Sequence, residues 1–160
     1  IYLLGYLIQK NGMRILNNVT WQKSNPAPNL SCRMFTHSTE NIIWAKRPKE
    51  KQLFNYHLMK ELNHNKQMKD VWTTPTIQKS EKRFGNHPTQ KPLALIRRII
   101  QASANRNSKV LDPFVGSGTT CVACRQLCVR SIGIDNSNQY LQIAKKRMIN
   151  YKSEKIGNIN

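Results

Sequence analysis

Hydrophobic and polar residues along this chain follow spacings that predict a series of short helices and strands. Residues 1–11 have the apolar spacing of a helix that stops at an Asn-Gly pair. Residues 13–23 and 39–46 are rich in β-branched and apolar side chains and are predicted strands, separated by a proline-containing loop at residues 24–33. Apolar residues at helical spacing follow Pro92. This mixture predicts an α/β protein.

The segment V-L-D-P-F-V-G-S-G-T-T, at residues 110–120, organises the rest of the chain. It predicts a strand that ends at Asp112, a tight loop containing Gly116 and Gly118, and a helix that begins at the two threonines. Glycine has no Cβ atom, so such a loop lets a ligand approach the backbone at the carboxyl end of a strand. Open α/β sheets bind their ligands at this edge.

Two phosphate-binding motifs do not match this loop. A P-loop requires Gly-Lys followed by Ser or Thr, and a dinucleotide fingerprint requires a third glycine where this chain has Cys121. The loop is therefore predicted to bind a ligand that contains a nucleoside but no pyrophosphate.

A second short strand, at residues 130–135, ends in the carboxylate of Asp135. Asp135 follows Asp112 by 23 residues, which is near the spacing at which such folds place an acid on ribose hydroxyls. It is also a suitable N-cap for a helix that begins near Ser137, and the two roles are compatible.

The chain is strongly basic, with 26 lysine and arginine residues, 8 acidic residues and a formal net charge of +18. Because such an excess opposes compaction unless a polyanion is bound, nucleic acid is the predicted partner. The apolar start is too short to span a bilayer and has no basic region before it, so no membrane partner is expected and the bacterial cytoplasm is the predicted location. The first residue is Ile, which suggests part of a longer protein.

Three motifs occur in a fixed order: H-P-T-Q-K-P at residues 87–92, D-P-F-V-G-S-G-T-T at 112–120, and G-I-D-x-x-x-x-Y at 133–140. This order resembles the amino-group DNA methyltransferases, in the permuted class whose S-adenosylmethionine (SAM) motifs lie near the C-terminus. Residues 15–45 and 66–72 also resemble the second adenine methyltransferase of the DpnII-type restriction systems. The resemblance covers nearly the whole chain.

The resemblance implies SAM as cofactor, DNA as substrate, and methylation of adenine N6 in G-A-T-C. It also implies part of a class I SAM-dependent methyltransferase sheet, which is Rossmann-like. No metal is expected. The residues implied to bind SAM are Thr89, Gln90, Lys91, Asp112, Pro113, Phe114, Gly116, Ser117, Gly118, Thr119, Thr120 and Asp135.

The resemblance divides the chain into outer strands at residues 1–46, a target-recognition insert at 47–86, a SAM-binding portion at 87–150 and a tail at 151–160. The insert is rich in lysine, asparagine and glutamine with isolated aromatic residues, a mixture suited to phosphate contacts, base-edge hydrogen bonds and stacking. The alternative is a solvated loop held by its aromatic residues. The DNA-binding candidates are Arg33, Lys66, Lys69 and Trp72. The DNA is expected to be double-stranded, with single-stranded DNA as a second form.

Two further sets of residues are predicted to be structural. Cys121, Cys124 and Cys128 have a metal-like spacing, but on a helix they share one face with apolar neighbours and are predicted to pack in the core. His87 is predicted to support its turn rather than act as a base.

The family's catalytic tetrapeptide, of D-P-P-Y type, does not occur in this sequence. The segment Asn25-Pro26-Ala27-Pro28 does not replace it, because its third residue differs and no aromatic residue follows. We therefore expect a C-terminal portion that lacks upstream strands, exposes sheet edges and an apolar face, and is inactive alone. The alternatives are a cytosine-N4 methyltransferase and a noncatalytic DNA-binding remnant or specificity subunit.

Overall fold

The computed structural model describes residues 1–150, and the predicted tail at 151–160 lies outside the described residues. The chain divides into two compact units. We call residues 1–52 and 67–76 the first unit, and residues 53–66 with those from 77 onward the second unit. The α/β prediction is confirmed. No helix in the described part of the chain has the length and apolarity that crossing a bilayer requires.

The first unit contains one helix and a three-stranded sheet. Its elements are α1 (Tyr2–Lys10), β1 (Arg14–Lys23), β2 (Thr39–Lys46) and β3 (Val71–Thr74). The central strand β1 pairs antiparallel with β2 and parallel with β3. Trp21 and Trp72 are register partners, both are buried, and the Trp21 indole N–H donates to the Thr74 carbonyl. The strand β3 lies inside residues 47–86, the predicted target-recognition insert, for which the sequence predicted no strand.

The second unit contains four helices, a short 3-10 turn and a two-stranded parallel sheet among its described residues. Its elements are α2 (Tyr56–Glu61), the 3-10 turn (Lys79–Lys82), α3 (Leu93–Ser103), β4 (Lys109–Asp112), α4 (Thr119–Gln126), β5 (Arg130–Gly133) and α5 (Asn138–Asn150). Asp112 and Gly133 are the last register partners of β4 and β5. The two carboxyl ends therefore lie at one edge of this sheet.

The core of the second unit is built from α3, α4 and the residues that follow each of them. The cluster consists of Leu93, Ile100, Ala104, Val122, Ala123, Cys124, Leu127 and Val129. Cys124 is fully buried, and burial raises the pKa of its thiol to about 11, so it behaves as a small apolar side chain. The prediction for Cys128 is wrong: α4 ends at Gln126, and Cys128 is exposed in a left-handed backbone conformation with φ of 56°.

One face of the β4–β5 sheet is apolar and exposed. Leu111 on β4 is 61% exposed, its partner Ile132 on β5 is 64% exposed, and Ile134 is 52% exposed. Val110, which points to the other face, packs against the α3–α4 core. Parallel sheets are normally covered on both faces by other elements of the domain. An exposed apolar face such as this one is therefore expected to be a packing surface.

Gly133 on β5 provides a test of how closely this strand packs against Val115 and Cys121. A Cβ atom at residue 133 would lie 2.6 Å from Val115 Cγ2 and 2.9 Å from Cys121 Sγ, so Gly133→Ala should lower the free energy of unfolding by about 1 to 3 kcal/mol through overpacking. Gly5→Ala in α1 is the control: its Cβ would meet only ordinary contacts, and the helix should gain about 0.5 to 1 kcal/mol. Chemical denaturation of both variants measures the difference, and equal effects would contradict this packing.

Candidate functional site

The glycine loop, residues 113–118, continues the pairing of β4 and β5 beyond the ends of both strands. Ile134 N–H donates to the Asp112 carbonyl at 2.8 Å, and Val115 N–H donates to the Ile134 carbonyl at 2.9 Å. The chain then turns through Gly116 with φ of 50° and Gly118 with φ of 81°. Both values lie in the left-handed region, where glycine is favoured over residues with a Cβ atom.

Asp112, at the end of β4, fixes both ends of the loop. Its Oδ1 accepts the Phe114 N–H at 3.0 Å, and its Oδ2 accepts the Thr120 hydroxyl. The carboxylate thus closes the first turn of the loop and holds the first turn of α4. Phe114, which follows Pro113 in the loop, is 87% exposed, so its ring is open to a ligand or a partner.

Asp135 lies just beyond β5 and fastens the loop from the other strand. Its Oδ1 accepts the Ser137 N–H at 2.9 Å, and its Oδ2 accepts the Gly116 N–H at 2.8 Å. These backbone donors lower the pKa of the carboxyl below its usual range, and the Ser137 N–H has the largest effect, followed by the Gly116 N–H. An ionised carboxylate has about four lone-pair sites, so Asp135 is able to accept further hydrogen bonds from a ligand.

Beneath the loop lies a buried polar network. The Ser117 hydroxyl donates to Gln90 Oε1 at 2.8 Å. Arg147 on α5 is 3% exposed, and its Nη1 donates to the Ser117 carbonyl, the Ser117 hydroxyl and the Thr119 hydroxyl. The Gln90 amide donates to the backbone carbonyl of Glu81. The side chains of Ser117, Thr119 and Gln90 are therefore engaged within the protein.

His87 packs directly against the loop. A Cβ atom at residue 116 would lie 2.8 Å from His87 Nε2, and the His87 ring centroid lies 4.2 Å from that of Tyr140 on α5. The Thr89 N–H donates to His87 Nδ1 at 3.3 Å. This contact supports the turn role predicted for His87 and brings the H-P-T-Q-K-P segment to the loop.

The structure brings most of the predicted ligand-binding residues together in the second unit. The group at or beside the loop consists of Gln90, Asp112, Pro113, Phe114, Gly116, Ser117, Gly118, Thr119, Thr120 and Asp135. Thr89 lies next to His87 in the adjoining segment and is exposed, and Lys91 is half-buried. Within residues 1–150, no group of three or more His, Cys, Asp or Glu side chains is placed to hold a metal ion.

The four DNA-binding candidates are divided between the two units. Arg33 and Lys69 are exposed in the first unit, and Lys66 is exposed in the second unit. Trp72 is buried in β3, and its indole N–H donates to the Lys69 carbonyl at 2.8 Å. Base stacking by Trp72 stays a prediction, and its geometry favours packing within the sheet. Asn25 also has a structural contact, since its Oδ1 accepts the Thr76 N–H.

Sequence reasoning missed Arg147, the buried cation beneath the loop. Its signal was present: Ile143 and Ala144, four and three residues earlier, are the buried apolar positions of α5, and Arg147 occupies the next position on that face. A cation at an apolar position of a helix indicates a buried acceptor.

Comparison with known proteins identifies the family. The profile described as DNA methylase, for N6 and N4 methylation, matches residues 1–146. The chain belongs to this DNA methylase family. It is 57% identical over 150 residues to "Type II methyltransferase M2.LlaDCHI" of Lactococcus lactis subsp. cremoris and equally to "Type II methyltransferase M2.DpnII" of Streptococcus pneumoniae. Each match covers 92% of this chain and 56% of the relative, so the chain spans about half the length of these curated relatives.

Solved structures agree with this membership. The M1.HpyAVI–SAM complex matches with a TM-score of 0.72 and 34% identity, over 92% of this chain and 68% of that one. The PvuII DNA methyltransferase, described as cytosine-N4-specific, matches with a TM-score of 0.74 over 98% of this chain and 57% of that one. At 16% identity this second likeness shows the fold alone. The methyltransferase-like fold expected from the sequence motifs is confirmed.

The Asp135 contacts in this methylase loop predict a pH effect on stability. Because backbone N–H groups lower the pKa of Asp135, its carboxylate should stabilise the fold above the unfolded-state pKa, and this contribution should be lost as the pH falls below about 4. Asp135→Asn should flatten the acid limb of the stability profile, whereas Asp70→Asn, at an exposed residue of the first unit, is the control. Thermal unfolding at a series of pH values measures it, and an unchanged acid limb would refute the assignment.

Proposed function

We propose that this chain is the C-terminal portion of a SAM-dependent DNA methyltransferase that methylates adenine N6, with G-A-T-C as its site. The observation that carries the proposal is the Asp135 carboxylate, which is fastened to the Gly116 N–H at the carboxyl ends of two parallel strands. The chain's membership of the DNA methylase family and its 57% sequence identity to M2.DpnII support the proposed reaction and the proposed G-A-T-C target. Both curated relatives come from bacteria, and we place the enzyme in the bacterial cytoplasm with its DNA.

The residues of the loop fit SAM better than a phosphorylated nucleotide. Asp112 and Asp135 contribute two carboxylates at the loop, and the loop has no P-loop lysine. An ionised Asp135 is suited to accept hydrogen bonds from a ribose diol, and negative charge favours a ligand that carries a sulfonium cation. The guanidinium of Arg147 lies beneath the loop, where it is bonded to the loop's own oxygens. The cofactor-binding residues proposed are those named from the sequence: Thr89, Gln90, Lys91, Asp112, Pro113, Phe114, Gly116, Ser117, Gly118, Thr119, Thr120 and Asp135.

When bound, SAM supplies an electrophilic methyl group to the reaction. The contribution of this chain is to bind and orient: Asp135 to hold the ribose, the glycines to allow close approach, and exposed Phe114 to offer an apolar surface. Such positioning accounts for a large part of catalysis in transfer reactions. In the family's chemistry, the acceptors that polarise the amino group of a flipped base belong to the D-P-P-Y tetrapeptide. We assign that tetrapeptide to residues outside 1–160.

The same upstream segment is the partner that we propose for the apolar face of the β4–β5 sheet. Leu111, Ile132 and Ile134 expose apolar side chains on a parallel sheet, and this chain corresponds to only 56% of the length of its curated relatives. Covering this face with further elements of the same domain would bury it as in other parallel sheets. We therefore propose that this part of the domain is completed by residues that precede the sequence given.

DNA is the proposed substrate because of charge as well as family. The net charge of +18 provides the attraction to phosphate groups on which DNA binding generally depends. Arg33, Lys66 and Lys69 are exposed cations available for such contacts. We propose that residues 47–86 contribute to target recognition, with β3 and the buried Met59 serving packing, while base stacking by Trp72 stays a prediction.

Gly116 provides a test of cofactor binding in the complete enzyme. A β-branched side chain would clash with His87 and strain the left-handed turn, so Gly116→Val should abolish SAM binding measured by calorimetry. Gly12→Val is a matched control because Gly12 also has a positive φ, of 73°, but a Cβ there would meet nothing within 4 Å. Unchanged SAM affinity in Gly116→Val would place the cofactor elsewhere.

The reaction itself is tested by product analysis. The complete enzyme should transfer labelled methyl groups from SAM to duplexes containing G-A-T-C, with G-T-A-C duplexes as the control, and mass spectrometry should identify N6-methyladenine. The 160-residue chain alone should be slower by orders of magnitude because it lacks the polarising acceptors. N4-methylcytosine as product would favour the cytosine alternative. DNA binding without any transfer would favour a noncatalytic subunit, and transfer by the chain alone would place the catalytic group within residues 1–160.

A further inference from the structure

We propose that Arg147, together with Glu81, is a positioning pair that holds the glycine loop in its ligand-binding geometry; this inference rests on the proposed function. Neither residue belongs to the three sequence motifs. Arg147 lies on α5, and Glu81 lies in the 3-10 turn that precedes the H-P-T-Q-K-P segment. The Arg147 side chain reaches the loop, and the Glu81 carboxylate faces the Arg147 guanidinium within the second unit.

Arg147 makes three hydrogen bonds to the loop and to the start of α4. Its Nη1 donates to the Ser117 carbonyl at 2.8 Å, the Ser117 hydroxyl at 3.1 Å and the Thr119 hydroxyl at 2.9 Å. Ser117 stands between the two left-handed glycines, and Thr119 begins α4. One planar guanidinium thus fixes the residue at the apex of the loop and the first residue of the following helix.

The buried positive charge of Arg147 faces the carboxylate of Glu81. The side chain of Arg147 is 3% exposed, and burying a cation is costly unless hydrogen bonds and an opposite charge offset the loss of hydration. Glu81 Oε2 lies 4.0 Å from Arg147 Nη2, and the side chain of Glu81 is itself largely buried. The pair therefore places compensated charges beneath the loop rather than at the protein surface.

Glu81 also accepts hydrogen bonds from the start of α3 and from the H-P-T-Q-K-P segment. Glu81 Oε2 accepts the Leu93 N–H at 2.9 Å at the start of α3, and its backbone carbonyl accepts the Gln90 side-chain amide at 3.2 Å. Gln90 Oε1 in turn accepts the Ser117 hydroxyl. A closed circuit therefore joins Glu81, Gln90, Ser117 and Arg147, so that the loop, the H-P-T-Q-K-P segment and α5 keep one arrangement.

The hydrogen-bond circuit determines which groups of the loop remain available to a ligand. Ser117 and Thr119 direct their hydroxyls into the network, which leaves the outer side of the loop to its backbone, to Asp135 and to Phe114. Without the guanidinium, the Ser117 carbonyl and both hydroxyls would lose their shared donor inside the protein. The turn between Gly116 and Gly118 would then have fewer constraints on its left-handed conformation.

The test compares variants of the complete enzyme at a temperature well below unfolding. Arg147→Met removes the charge and the donors, Arg147→Lys keeps the charge, and Ile100→Ala destabilises the α3–α4 core without contacting the loop. Lys146→Met removes an exposed charge from the same helix as a further control. Calorimetry gives the Kd for SAM and the binding stoichiometry, and hydrogen exchange of the Gly116 and Gly118 amides in the ligand-free protein reports loop order.

Arg147→Met should raise the Kd for SAM at least about tenfold at a stoichiometry near one, and should speed exchange of the two loop amides. Arg147→Lys should recover part of both losses, while Ile100→Ala and Lys146→Met should leave the Kd unchanged. A reduced stoichiometry with an unchanged Kd, or equal effects of Arg147→Met and Ile100→Ala, would show that Arg147 serves stability alone and overturn the inference.

Glu81→Gln keeps the inference testable if Arg147→Met does not fold. Glutamine retains an oxygen for the Leu93 N–H but removes the charge facing Arg147, so the Kd for SAM should rise several-fold and the loop amides should exchange faster. An unchanged Kd and unchanged exchange in this variant would overturn the inference. If the unaltered enzyme fails to bind SAM, the proposed function is refuted with the cofactor part of this inference, and the exchange rates alone then decide whether Arg147 orders the loop.

Discussion

The site depends on the backbone hydrogen bonds that carry the β4–β5 pairing into the glycine loop. Ile134 N–H reaches the Asp112 carbonyl and Val115 N–H returns to Ile134, so the first half of the loop belongs to the sheet. Two strands alone have little independent stability, and the α3–α4 core packed on one face provides the support. Because Asp135 follows directly on β5, a displacement of β5 would move Asp135 and the loop together.

Elements that depend on local patterns were predictable from the sequence, and those that depend on distant partners were not. The strand predicted at residues 13–23 is Arg14–Lys23, and the one at 39–46 matches in full, because β-branched residues and flanking turns mark both. The strand β3 has the β-favouring residues Val-Trp-Thr-Thr, but a run of four is too short to stand out, and its parallel pairing with β1, about 50 residues earlier in the sequence, is not a local feature. Cys128 was misplaced because no sequence signal showed that α4 ends at Gln126.

The candidate site was predictable as a set of residues but not as a set of side-chain directions. The motifs identified the loop and both aspartates, since acids at strand ends and paired glycines follow from general sheet geometry. The resemblance implies that Ser117 and Thr119 bind SAM but gives no side-chain direction, and the structure buries both hydroxyls against Arg147. Their directions follow from the turn between Val115 and Gly118, in which Gly116 and Gly118 are left-handed.

Charge is distributed so that one basic protein is able to attract two ligands of opposite sign. The net charge of +18 acts at the surface, where a polyanion collects many cations at once. At the loop, Asp112 and Asp135 contribute two carboxylates, and exposed cations farther than about 8 Å away are largely screened at physiological salt. Two carboxylates beside the loop favour a small cation. The proposed cationic cofactor and the proposed anionic substrate then need not compete for the same residues, because burial of Arg147 keeps its positive charge bonded beneath the loop.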